Sequence, residues 1–118
     1  MTETQETRTA LPAVDEDKTL RVGLGVTEAV GSDRYPGTIT AVSPSGKKIT
    51  VQMDDYRRTD SNGYGGHQEY EYFRDENNYR TREYSLRKNG QFVEVGSPIS
   101  WGRGLTIGMR RAYQDPSF

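Results

Sequence analysis

The stretch GTITAVSPSGKKITVQMD, Gly37 to Asp54, decides the fold class. Pro44 presets the backbone at the first corner of a turn, Ser45 suits the second, and Gly46 supplies a left-handed residue. That is the chemistry of a three-residue hairpin loop with a glycine bulge. Closing the loop between Ser43 and Lys47 sets Ala41 opposite Ile49 and Ile39 opposite Val51. These four apolar residues then share one face, and Thr40, Lys48, Thr50 and Gln52 take the other. A slip of one residue scatters the set, so turn chemistry and pattern specify the same pairing.

Outward from this hairpin the same grammar recurs. RVGLGVTEAV, residues 21–30, alternates weakly and reads as a strand, with Gly23 and Gly25 at a bend or a close backbone crossing. Residues 67–73 alternate into a further strand, and residues 79–87 into another. Asn89-Gly90 marks a two-residue primed turn, which sets Leu86 across from Val93 and Tyr84 across from Val95. Residues 105–113 read as the last strand. Residues 55–66 and 96–104 are glycine-rich loops, the second carrying the only tryptophan, Trp101. No helical period appears. About six strands in some 95 residues predict an all-β domain over residues 21–118: a small partly open barrel or two stacked antiparallel sheets.

The core is thin. Leu, Ile, Val and Phe total 20 of 118 residues, and eight tyrosines extend the apolar surface that can be covered. Self-association would supplement such a core. Residues 1–20 hold five acids against Arg8 and Lys18, lack apolar periodicity, and read as a disordered acidic arm. The remainder carries 12 acids and 14 bases, so no broad basic footprint accompanies the fold. The absence of cysteine excludes a disulfide framework and thiolate zinc sites. No apolar run suits a bilayer and the N terminus lacks a secretory h-region, so the expected location is the cytoplasm.

Nucleophilic catalysis finds no parts: His67 is the single histidine, and no serine sits in a GxSxG setting. Asp54, Asp55, Asp60 and Asn62 offer oxygen ligands without the spacing of a calcium loop, and they suit ordinary turns. Arg80, Arg82 and Arg87 read as cross-strand partners of Glu69, Glu71 and Glu83 on a wet face. The expectation is therefore a non-enzymatic chain with no metal and no cofactor. The candidate binding set is Arg34, Tyr35, Tyr56, Arg57, Arg58 and Tyr64, in the two loops at one end of the first hairpin. Guanidinium groups beside phenol rings anchor protein partners or hold phosphates and stacked bases. Asp33, Asp54, Asp55 and Asp60 share those loops and are able to neutralise the arginines. A protein partner is favoured, with single-stranded nucleic acid and a small ligand as alternatives.

Several blocks occur together and in order: Val22-Gly23-Leu24-Gly25, Ser32-Asp33-Arg34, Ser43-Pro44-Ser45-Gly46-Lys47, Arg58-Thr59-Asp60-Ser61-Asn62-Gly63, Leu86-Arg87-Lys88-Asn89-Gly90, and Tyr113-Gln114-Asp115-Pro116-Ser117-Phe118. In this, residues 22–118 resemble a group of short bacteriophage and prophage proteins with no established function. The resemblance implies a phage origin, with a host-cell or virion location, and implies nothing about chemistry. The Gly37–Asp54 hairpin alone is similar to those of KOW and Tudor small barrels, an analogy of shape. Because Ile49 is placed at the centre of the apolar face, Ile49→Ala is expected to cost roughly 2–5 kcal/mol in urea unfolding. An unchanged midpoint would remove Ile49 from the core.

Overall fold

The computed structural model describes residues 9–30, 32–61, 67–74, 80–96 and 104–114. Among them every regular element is a strand: β1 (Thr9–Leu11), β2 (Gly25–Val30), β3 (Asp33–Val42), β4 (Lys48–Met53), β5 (Asp55–Arg58), β6 (Tyr70–Arg74), β7 (Thr81–Leu86), β8 (Phe92–Glu94) and β9 (Thr106–Ile107). No helix in this set is long and apolar enough to cross a membrane. Six strands form one antiparallel sheet in the order β8-β7-β4-β3-β2-β9, and β1-β6-β5 form a second. The large sheet curls until its edges meet: Leu105 N, just before β9, donates to Phe92 O of β8 at 3.0 Å. The result is a partly open barrel with a three-stranded sheet beside it, the fold class expected.

Both hairpins form with shifted pairing. In the first, Ser43 N donates to Lys48 O, so the loop is one residue longer than expected, with Gly46 left-handed at φ +74°. Serine side chains cause this. Ser43 Oγ accepts from Lys48 N, and Ser45 Oγ accepts from Lys47 N, replacing a ladder bond by local ones. Ala41 consequently faces Thr50 and Val42 faces Ile49, until a bulge between Ile39 and Ala41 restores Ile39 opposite Val51. Ile39, Ile49 and Val51 are buried as expected, whereas Ala41 is exposed.

At Asn89-Gly90 the loop has three residues and Arg87 N donates to Gln91 O. Asn89 Oδ1 accepts from Gln91 N, which favours a common turn with Gly90 left-handed over the primed turn. The pairs are therefore Leu86 with Phe92, Ser85 with Val93 and Tyr84 with Glu94. Tyr84 and Val93 are buried, while Leu86 and Val95, expected inside, are exposed. The new pairing brings the Phe92 ring into the interior in place of the smaller Val95 side chain, a larger apolar area removed from water.

Register fixes what lines the barrel. Leu24, Ile39, Ile49 and Phe92 occupy one end, Val26 and Val51 the middle, and Glu28, Tyr35 and Arg82 follow on the same inward face. The interior thus grades from apolar to charged along its length.

The back of the sheet is held by Arg110, whose side chain is 1% exposed. Its Nε donates to Asp54 Oδ2, Nη2 to Thr38 Oγ1, and Nη1 to Pro12 O, each at 2.9 Å. Thr38 Oγ1 donates onward to Asp54 Oδ1 at 2.7 Å, closing a ring across β3 and the β4–β5 corner. Gly25 permits this approach. A Cβ there would lie 2.7 Å from Arg110 Nη1, so glycine marks a close crossing, as its place in the strand suggested. Asp15 Oδ2 accepts from Gly25 N and stands 3.9 Å from Arg110. Burial pushes the Asp54 carboxyl above the usual carboxylate range, against the pull of Thr38 and Arg110 in the other direction.

The reading of residues 1–20 as an arm without partners is corrected from Thr9 onward; residues 1–8 lie outside the described residues. β1 pairs with β6, Arg110 N donates to Ala13 O, Lys18 Nζ donates to Gly108 O, and Leu20 packs against the core. This segment contributes backbone acceptors rather than an apolar stripe, so hydrophobic patterning is blind to it. The β5 strand, expected as loop, is missed for a similar reason: its four residues, DYRR, do not alternate. The last strand shortens to β9 because Arg110 turns inward, leaving isolated bridges at Met109 and Tyr113.

Deleting residues 1–18 should lower the melting temperature by about 5 °C or more, since at least one buried guanidinium partner is lost; an unchanged transition would refute the docking. Arg110→Met alone should cost roughly 3–5 kcal/mol. Adding Asp54→Asn should recover part of that loss, with a coupling of about 1–3 kcal/mol in a double-mutant cycle. Strict additivity would show that the two side chains act independently.

Candidate functional site

The charged end of the barrel opens into a cleft of about 390 Å³ lined by Glu28, Val30, Tyr35, Pro36, Met53, Asp54, Tyr56, Arg80 and Arg82. Its floor is built by strand alternation. Glu28 follows Val26 at the next inward position of β2, Tyr35 lies directly opposite it on β3, and Arg82 faces Val51 from β7. Tyr56, from β5 of the smaller sheet, supplies part of the wall.

Glu28 is 8% exposed, and its charge is satisfied internally. Arg82 Nη1 donates to both carboxylate oxygens, at 2.9 and 2.8 Å, and Tyr84 Oη donates to Oε2 at 2.7 Å. Burial, followed by the Glu28 contact and charge, pushes the Tyr84 hydroxyl far above the ordinary tyrosine range, so it remains a donor. Arg82 is only partly consumed. Its side chain is 41% exposed, Nη1 makes its hydrogen bonds to Glu28 and stands 4.0 Å from Glu94, and Nε and Nη2 have no partner among the described residues.

Tyr35 Oη donates to Asp33 Oδ2 at 3.3 Å, and its hydroxyl is pushed up, first by burial and then by the Asp33 charge. The Tyr56 ring stands edge-on to Tyr70, with centroids 5.6 Å apart. This contact fixes the ring plane at the cleft wall, and such geometry is favourable for aromatic pairs.

Of the six residues expected to bind, Tyr35 and Tyr56 come together in the cleft. Arg34, Arg57 and Arg58 do not line it. Arg34 exchanges backbone bonds with Tyr113 and donates its Nη1 to Asp33 O. Arg57 stands in the other sheet, paired with Glu71 and 5.8 Å from the centre of the Phe73 ring. Arg58 pairs with Asp60 at 2.8 Å, one of the loop acids able to neutralise it. Tyr64 lies outside the described residues, as do Trp101 and Asn62.

The wet-face reading of the later arginines is corrected at Arg82. Arg82 turns inward to Glu28, and Arg87 donates to Ser85 Oγ and Glu94 O. Glu71 serves Arg57 instead. A legible signal existed for Glu28 and Arg82: each occupies the inward position next to a core residue on an alternating strand. His67 is exposed, 3.4 Å from Glu69. Asp54 is committed to Arg110 and Thr38, and no group of three or more metal-ligating side chains occurs among the described residues. The cleft therefore offers two phenol rings, an apolar lip and a half-used guanidinium, with both of its carboxylates engaged inside the protein. Searches with protein-family models, curated proteins and solved structures yield no match to this chain.

Proposed function

We propose that this is a non-enzymatic interaction module, phage-encoded, which anchors a segment of a host or viral protein in the cleft of its barrel. The observation that carries the reading is the pairing of Tyr35 and Tyr56 with the half-exposed Arg82 at the barrel mouth. Tyrosine and arginine are the side chains on which protein interfaces concentrate their binding energy. Neither carboxylate of the cleft is placed as a general base: Glu28 holds Arg82 and Tyr84, and Asp54 holds Arg110 and Thr38. The order of sequence blocks shared with phage and prophage proteins supports the origin, and with it action in the bacterial cytoplasm or the virion.

Single-stranded nucleic acid is the second reading, favoured by rings and a guanidinium side by side. Two acids in the cleft and a net charge of −1 over the whole chain weigh against a polyphosphate ligand. Affinity capture from the native host before and after nuclease treatment separates the two. The expected outcome is a protein retained after nuclease and bound roughly 1–2 kcal/mol more weakly by Tyr56→Ala. Retention that disappears with nuclease, or that falls steeply with salt, would replace the reading by the nucleic-acid one.

A further inference from the structure

Away from the cleft, we infer that a second pocket, between β6 and the segment after β9, binds a neutral flat small molecule through its carbonyl oxygen, as an amide or lactam presents it. The pocket holds about 420 Å³. Glu69, Tyr70 and Tyr72 reach it from β6 and the residue before it, and Arg111 and Tyr113 from the segment after β9. It shares no lining residue with the cleft, so the protein-binding reading stands or falls separately.

Donors that the protein leaves unspent set the chemistry of this pocket. Tyr72 is 8% exposed; its Oη accepts from Ala112 N at 3.3 Å, while its own proton meets no acceptor among the described residues. Burial pushes this hydroxyl above the ordinary tyrosine range, against the pull of Ala112 N and the Arg111 charge, so the proton stays on to be donated. Arg111 thus stands close enough to act on the same oxygen. Its guanidinium is exposed and has no hydrogen bond or ion pair among the described residues, and the Tyr113 hydroxyl has none either. Tyr70, by contrast, donates to Gln68 Oε1 at 2.6 Å, and the Gln68 amide exchanges bonds with both backbone groups of Gln114. That clamp fixes the segment carrying Arg111 and Tyr113 against β6. A buried donor without an acceptor is costly, and a ligand oxygen that takes its proton recovers the loss. Charge decides the kind of oxygen. The lining residues include one acid, Glu69, and one guanidinium, Arg111, with His67 3.4 Å from Glu69. One charge of each sign gives a carboxylate no advantage over a carbonyl, and an anion would shed hydration among the rings for no return. Three tyrosine rings supply apolar surface for a flat molecule.

The test is an NMR titration of the isotope-labelled full-length chain with benzamide, benzoate, benzylamine and toluene, which share a ring and differ in the group it carries. Benzamide is expected to shift the backbone amide signals of Tyr72, Ala112 and Tyr113. It should bind at least as tightly as benzoate and roughly tenfold more tightly than benzylamine or toluene, which offer the donors no acceptor. Tyr72→Phe should weaken benzamide roughly tenfold and leave toluene unchanged. Arg111→Met removes a donor from an exposed position and should have the same selective effect, which keeps the test decisive if Tyr72→Phe is poorly folded. Benzoate bound more tightly than benzamide would overturn the neutral assignment. Equal binding of all four compounds, shifts confined to other residues, or no shift at the solubility limit of benzamide would overturn the site. Unchanged benzamide binding by Arg111→Met and by a folded Tyr72→Phe would overturn the role of the two donors.

Discussion

One buried guanidinium organises this molecule. Arg110 reaches the N-terminal segment through Pro12 O, the centre of the large sheet through Thr38, and the corner between the sheets through Asp54. Removing two charges from water is costly, and the raised Asp54 carboxyl is a sign that burial outweighs the pairing there. The value of the arrangement lies in geometry. A donor fork with three different acceptors is satisfied in one placement of the surrounding segments, and any other leaves a desolvated cation. A core of few aliphatic side chains does little to choose among alternative packings, so specification by polar partners suits this sequence.

The same corner shapes the cleft. Asp54 turns the chain from β4 into β5, and this turn carries Tyr56 into the smaller sheet, from which it lines the cleft together with Tyr35. The inner lining then changes along the barrel from Leu24, Ile39 and Ile49 to Glu28 and Arg82, with Tyr84 joining the two zones by its ring and its hydroxyl. Dry core and wet site are successive rungs of the same strands. A rigid floor for the cleft comes without any additional element.

What the sequence made legible was local. The Pro44-Ser45-Gly46 corner, the alternation that puts Ile49 and Val51 on one face, and the turn at Asn89-Gly90 all point to the right elements, because each depends on residues close in the chain. The errors of pairing arose where Ser43, Ser45 and Asn89 spent side-chain oxygens on their own loops, shifting the ladder by one. In the site, Tyr35 and Tyr56 could be found from residue type and loop position. Glu28 and Arg82 were harder, since a charge is ordinarily assigned to the solvent face and their partnership spans 54 residues. The N-terminal segment was invisible for a different reason: it is held by the carbonyls of Pro12 and Ala13 and by single contacts of Asp15, Lys18 and Leu20, which follow no period.

The reach of Arg110 also orders events in time. Its bonds to Asp54, Thr38 and Pro12 span 56, 72 and 98 residues. During synthesis the first hairpin can form as soon as it leaves the ribosome, yet the sheet beside it lacks its fastening until Arg110 emerges. Long-range closure of this kind slows folding and leaves strand edges open meanwhile. The nascent chain therefore passes through a stage in which its hairpins are made but Pro12, Thr38 and Asp54 still lack the guanidinium that ties them together, and in that interval it is most open to a chaperone, a protease or another nascent copy.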